Sequence, residues 1–275
     1  RGELIVCTSK EIQFIDVSTG RIKKIFSGLL KDSEDEITAF RLVHQNKKFI
    51  LGDQHGHMAL YLYATGERLK TLKNHTNEIT SIKADYGNKM IISSSLDSSI
   101  IIQKENKLDF EVKRRAFNAH YRKQIVLMET SIYHNLFVTG AADNVLYVWD
   151  YEYAKLVGSI TIEDDAEPTA IQFINGYSII IISTTHGTIH FFHFSKKESS
   201  NMEIKHIGII DMDPRYKNAT MESFFASKGS VYANRLLIDL QYDHEGVKKP
   251  EKALLYTSLN DGKVTVFNIK SLFDH

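Results

Sequence analysis

The sequence has a single cysteine, Cys7, so no disulfide can form within the chain. It also lacks net charge, with Lys and Arg totalling 34 and Asp and Glu 34. Without an excess positive field there is little drive toward phosphate backbones, and nucleic acid is not the expected partner. Long apolar runs are missing: Ile179–Ile182 is far short of the roughly 20 residues that span a bilayer. No secretory signal is apparent, so a soluble, cytoplasmic protein without membrane contact is expected. There is no P-loop and no G-x-G-x-x-G fingerprint, since the glycines are scattered singly among turns. A G-x-S-x-G nucleophile elbow and a D-x-D-x-D-G loop with a closing Glu are absent too. No cofactor, resident metal or small-molecule substrate is expected, and no catalytic residue is assigned.

Of the 275 residues, 43% are hydrophobic and 11% aromatic, ample material for a packed core. Their arrangement is repetitive. The clearest unit is Asn135–Asp150, a short apolar strand, a turn at Asp143 and an alternating strand ending in Trp149-Asp150. Its outline returns at Leu4–Asp16, Phe49–Leu62, Met90–Lys104, Ile180–His193 and Leu254–Asn268. Aligned on Trp149, the six copies place Ile15, Tyr61, Gln103, Trp149, Phe192 and Phe267 at gaps of 46, 42, 46, 43 and 75. The first four gaps fit a propeller repeat of roughly 40–45 residues.

Each copy predicts the inner hairpin of a four-stranded blade, with Gly56, Asp97, Asp143, Gly187 and Asp261-Gly262 at the reversals. Glu67–Leu72 and Lys155–Ile162 read as outer strands; Glu78–Ala84 and Pro168–Ile174 read as innermost strands. The long last gap predicts an insertion over 195–232. Within it Asn218 would cap a short helix carrying Met221, Phe224 and Phe225 on one face, with Gly229 beyond its end. The fold class is therefore all-β, a β-propeller of six recognisable blades out of an expected seven. The first blade lacks its innermost strand and the last its outer one. The chain also opens at Arg1 within a strand-like stretch, so a piece of a longer protein is expected.

These residues resemble the WD-repeat family. In that family a His before the innermost strand, a Ser or Thr in the next strand, the turn Asp and the Trp form a buried hydrogen-bonded set. The resemblance implies that role for His120, Thr139, Asp143 and Trp149, and for His75, Ser93 and Asp97 in a blade where Gln103 replaces the Trp. The stretches FILGDQHGHMALYLYATGERLKTLKNH and VTGAADNVLYVWDYEYAKLVGSI look like the WD-repeat proteins of ciliary and flagellar axonemes, especially those joining EF-hands to tandem propellers. That resemblance implies a microtubule-associated scaffold subunit.

Ser, His and Asp in one blade also satisfy the composition of a hydrolase triad. Their recurrence at equivalent positions of two blades favours a structural device. His55 and His57 flank a turn, and His190 and His193 fall on opposite faces of one strand, so neither pair is expected to converge on a metal. Lys113-Arg114-Arg115 lies in an outer strand that faces solvent or a partner.

The leading reading is a non-catalytic scaffold for other proteins; the alternative is a propeller-based enzyme or small-ligand binder using the central channel. By resemblance, partner contacts fall on residues preceding the turn Asp: Leu96, Ala142, Thr185 and Asn260. Arg122 and Lys123, and the acidic run Glu163, Asp164, Asp165 and Glu167, would give that face opposite charges on neighbouring blades.

Overall fold

The computed structural model describes residues 2–30, 32, 34–85, 90–116, 119–162, 166–174, 176–196, 201–212, 233–242 and 249–273. Those residues form six antiparallel sheets and one 3-10 turn at Lys270–Phe273. Sheet 1 contains β1 (Glu3–Cys7), β2 (Glu11–Asp16) and β3 (Ile22–Ser27). Sheet 2 contains β4 (Ile37–Val43), β5 (Lys48–Asp53), β6 (Met58–Leu62) and β7 (Arg68–Thr71). Sheet 3 contains β8 (Ile79–Asp85), β9 (Met90–Ser95), β10 (Ile100–Glu105) and β11 (Phe110–Ala116). Sheet 4 contains β12 (Ile125–Ser131), β13 (Leu136–Ala141), β14 (Val145–Asp150) and β15 (Leu156–Thr161). Sheet 5 contains β16 (Pro168–Ile174), β17 (Ile179–Thr184), β18 (Thr188–Lys196) and β19 (Met202–Asp211). Sheet 6 contains β20 (Ala233–Gln241), β21 (Lys252–Leu259) and β22 (Val264–Asn268). In every sheet the strands lie in sequence order, a meander.

The chain divides into two compact units, Arg1–Met128 with Glu152–Ala154, and Glu129–Tyr151 with Lys155–His275. In the first unit, sheet 2 is buried on both faces. Successive side chains of a strand point to opposite faces. Phe49 and Leu51 of β5 accordingly join a cluster with Ile12 and Phe14 of sheet 1, while Ile50 joins one with Ile79 and Ile82 of sheet 3. Burial on both faces explains why β5 and β9 are apolar or small-polar almost throughout, without the alternation of a half-exposed strand. In the second unit, Ile179, Ile181 and Phe191 of sheet 5 pack with Ala253 and Leu255 of sheet 6.

Two register shifts recur. One falls where the second strand of the hairpin meets the outer strand that follows it, at Phe14/Ile15, Leu60/Tyr61, Ile102/Gln103, Val148/Trp149 and Phe191/Phe192. A bulge re-aims a side chain and adds twist. Here it falls each time on the residue that aligns with Trp149. The other shift separates the first two strands and sets one residue aside from the ladder, Thr38 in β4 and Thr169 in β16. Their hydroxyls donate across to the next innermost strand of the same unit, Thr38 to the Ile79 carbonyl and Thr169 to the Ala233 carbonyl, each at 2.7 Å.

The expectation of an insertion over 195–232 needs correction at its start. β18 continues to Lys196, and Met202–Asp211 is β19, paired along β18 from Thr188↔Asp211 to Lys196↔Met202 as an outer strand. An outer strand has no turn residues of its own and was hidden from a search for hairpins. The helix expected around Asn218, Met221, Phe224 and Phe225 lies outside the described residues.

Candidate functional site

The turn between β9 and β10 gathers the polar residues of sheet 3. His75, on the loop entering β8, places Nδ1 3.1 Å from Asp97 Oδ2 and Nε2 2.9 Å from Ser93 Oγ. With the proton on Nδ1 the ring donates to the carboxylate and accepts from the serine hydroxyl. Asp97 also accepts from the Thr76 N–H at 2.9 Å, the Ser99 N–H at 2.8 Å and the Ser99 hydroxyl at 2.7 Å. Burial alone would raise the Asp97 pKa, but the His75 bond and the Thr76 and Ser99 donors outweigh it and hold the carboxyl below the usual range. The order Ser–His–Asp matches a catalytic triad in connectivity, yet Ser93 is 0% exposed and offers solvent no nucleophile.

Sequence reasoning expected Asp97 to supply the unusual backbone of this turn. The left-handed residue is Ser98, φ 65°, while Asp97 supplies the carboxylate that ties the turn to the His75 loop. In sheet 2 the matching position is Gly56, φ 86°, where a Cβ would come within 2.6 Å of the His75 carbonyl oxygen. There the chemistry is reversed. His55 occupies the turn and meets Asp35 of the incoming loop at 3.2 Å, and His57 meets Asp53 at 3.0 Å.

Gln103 fills the Trp position of sheet 3. Its fully buried amide accepts from the Lys73 N–H at 2.7 Å and donates to the Lys73 carbonyl at 3.0 Å, satisfying both backbone polar groups of one residue. In sheet 4, Trp149 donates from Nε1 to Thr139 Oγ1 at 2.8 Å and stacks on Phe137 with planes 8° apart. Asp143 accepts from the Val145 N–H, and His120 is buried.

The candidate contact residues differ in what they present. Leu96 and Thr185 are half-buried; Ala142, Asn260, Arg122 and Lys123 are exposed. The backbone N–H of Leu96 donates to Glu78 and that of Thr185 to Glu167, so both residues sit directly against the loop entering their sheet. Glu163, Asp164 and Asp165 lie outside the described residues. Tyr121 was missed by sequence reasoning. It is 80% exposed beside Arg122, both in left-handed conformation, and the turn is closed by the Lys123 N–H donating to the His120 carbonyl. A large aromatic followed by two cations, between a His and a strand, was the signal that could have found it.

Among the described residues no group of three or more His, Cys, Asp or Glu side chains is placed to hold a metal ion, and no helix is long and apolar enough to cross a membrane.

Residues 66–102, from the turn before β7 into β10, match the model of the WD domain, G-beta repeat family. Cilia- and flagella-associated protein 337 B of Tetrahymena thermophila is 26% identical over 184 residues, 66% of this chain and 14% of that protein. WD repeat-containing protein srw1 of Schizosaccharomyces pombe is 26% identical over 116 residues, 42% of this chain and 20% of that one. The chain thus spans a small part of the length of these curated relatives. Among solved structures, the computationally designed Ika8 protein aligns with a TM-score of 0.62 over 97% of this chain and 67% of its own, at 17% identity, a likeness of fold alone. Residues 66–102 thus match a WD repeat, and the six antiparallel sheets, built on the same kind of hairpin, are blades of a β-propeller fold.

Proposed function

We propose that the chain is a non-catalytic docking platform for other proteins and a structural part of a large ciliary or flagellar assembly, with partners received on its turns and incoming loops. One observation carries the docking face. The loop bearing Tyr121, Arg122 and Lys123 is bonded to the turn bearing Leu96 through the Ala119 N–H and the Ser98 carbonyl at 3.0 Å. An exposed aromatic, two cations and an aliphatic residue are thereby carried on joined loops of one unit, and of these Tyr and Arg are the types enriched at protein interfaces. The polar side chains beneath them are engaged with one another, so this hairpin directs its hydrogen bonding inward. The ciliary assignment is supported by the Tetrahymena relative.

Proximity labelling in a ciliated cell, with the full-length protein carrying Leu96→Asp or the pair Arg122→Glu and Lys123→Glu, tests the reading. Both variants should lose most of the neighbours labelled by the parent while melting at nearly the same temperature. A third variant reversing Glu163, Asp164 and Asp165 extends the test to the acidic loop. Unchanged labelling with all three would remove the turn face as the docking site, and a parent labelling no ciliary protein would remove the assembly.

A further inference from the structure

Sheet 5 departs from its fellows at one pair of positions beside the bulge. Two residues before the Trp-equivalent, sheet 3 has Ile101 and sheet 4 has Tyr147; opposite the bulge on the outer strand these sheets have Val112 and Leu156. Sheet 5 has His190 and His206 there, His206 facing Phe192 across the bulge. Sheets 1 to 4 fill these positions with other side chains, Gln13 and Ile22, Ala59 and Arg68, Ile101 and Val112, Tyr147 and Leu156, so the bulge does not call for two imidazoles.

The two rings converge. His190 Nδ1 lies 3.3 Å from His206 Nε2, whereas the ring centroids are 5.3 Å apart, so both nitrogens point into the gap between them. An N–H···N hydrogen bond is ordinarily nearer 3.0 Å. Two nitrogens each 2.0–2.1 Å from a tetrahedral metal ion would stand about 3.3–3.4 Å apart. The far side of His190 is already set for ligation. Its Nε2 is 2.9 Å from Thr188 Oγ1, which is itself 2.7 Å from Thr184 Oγ1. With the proton on Nε2, His190 donates to Thr188 and turns Nδ1 toward His206, the kind of hydrogen bond that orients a ligating histidine. His190 is 6% exposed and His206 exposed, with Phe192 lying within 6.2 Å of both rings, so the gap has one dry wall and one open side.

We propose that His190 and His206 form a two-histidine site for a divalent zinc- or copper-like ion, His190 as the buried, oriented ligand and His206 as the accessible one. Water fills the remaining coordination positions. Imidazole nitrogens without carboxylates or carbonyls select such ions over calcium and magnesium.

Titration of the parent chain with Zn²⁺, followed by calorimetry and by competition with a chromophoric chelator, measures the site. The parent should bind one equivalent that His206→Leu weakens by at least about tenfold. Because His206 is exposed and leucine is the residue of sheet 4 at that position, this variant should fold, as its melting curve in the absence of metal will report. Co²⁺ should give a visible absorption band in the parent that is absent in His206→Leu. Equal zinc affinity in parent and variant, or a parent that binds no equivalent more tightly than the variant does, overturns the proposal.

Discussion

At the position where sheet 4 carries Trp149, sheet 3 carries Gln103, and both side chains are buried. Trp149 covers its neighbours with a large ring and spends its one N–H on Thr139. Gln103 covers less but binds both backbone polar groups of one residue, the N–H and C=O of Lys73, on the loop that leads to His75. The His75–Ser93–Asp97–Ser99 network then holds the other end of that loop. One sheet anchors its hairpin by apolar area and the other by hydrogen bonds. The same backbone accepts either because the bulge delivers the side chain to the same place in both.

The difference has measurable consequences, the largest in sheet 4. Trp149→Ala should cost about 3–5 kcal/mol, as for a large core aromatic, read by chemical denaturation. A loss no larger than that from Gln103→Ala would erase the distinction between the two anchors. Next comes Asp97→Asn, expected to cost about 2 kcal/mol at pH 7 because it weakens several bonds to a charged acceptor. The Asp97 pKa is lowered in the folded state, so its contribution is complete above the ordinary carboxylate range near ~3.9 and is lost as the pH falls below it. Melts of parent and Asp97→Asn should therefore converge between about pH 4 and 2; curves that stay parallel would mean the carboxylate charge is not what ties the turn.

A smaller effect is expected from Gln103→Leu, about 1–2 kcal/mol, since an apolar residue of similar size leaves the Lys73 peptide groups without their partner. Gln103→Trp would sharpen the comparison further: recovery of stability would show that sheet 3 can use the anchor of sheet 4. Smallest is Leu96→Asp, whose melting should shift by no more than about 0.5 kcal/mol. A large shift there would mean that Leu96 serves the fold and not a partner.

The hairpins were legible because turn chemistry and strand patterning are local. Asp97, Asp143, Gly56 and Gly187 could be picked out without any tertiary information, and alignment on Trp149 found the positions where the bulges fall. β19 was not legible as an outer strand. Met202–Asp211 mixes charges with aliphatic residues, and nothing within ten residues says which strand it joins. The reversal of the His and Asp roles in sheet 2 was equally hidden, because Asp35 and His55 are matched only through the fold. The convergence of His190 with His206 needed the bulge. Simple alternation along one strand placed His190 and His193 on opposite faces and gave no hint of a partner on the next.

In four sheets an N–H at or beyond the end of the outer strand returns to the hairpin turn: His75 to Gly56, Ala119 to Ser98, Ile162 to Asn144 and Met212 to Gly187. The turn tips and the incoming loops are therefore stitched together before any partner arrives. Ordering loose side chains and loops on association typically costs ~0.5–1.5 kcal/mol per immobilised side chain. A face already fixed by its own backbone avoids much of that entropic loss, so even a small set of side chains, such as Leu96, Tyr121, Arg122 and Lys123, can yield useful affinity. Changes at Leu96 and Tyr121 would then act mainly on how long a partner stays, and changes at the exposed charges Arg122 and Lys123 on how fast it arrives.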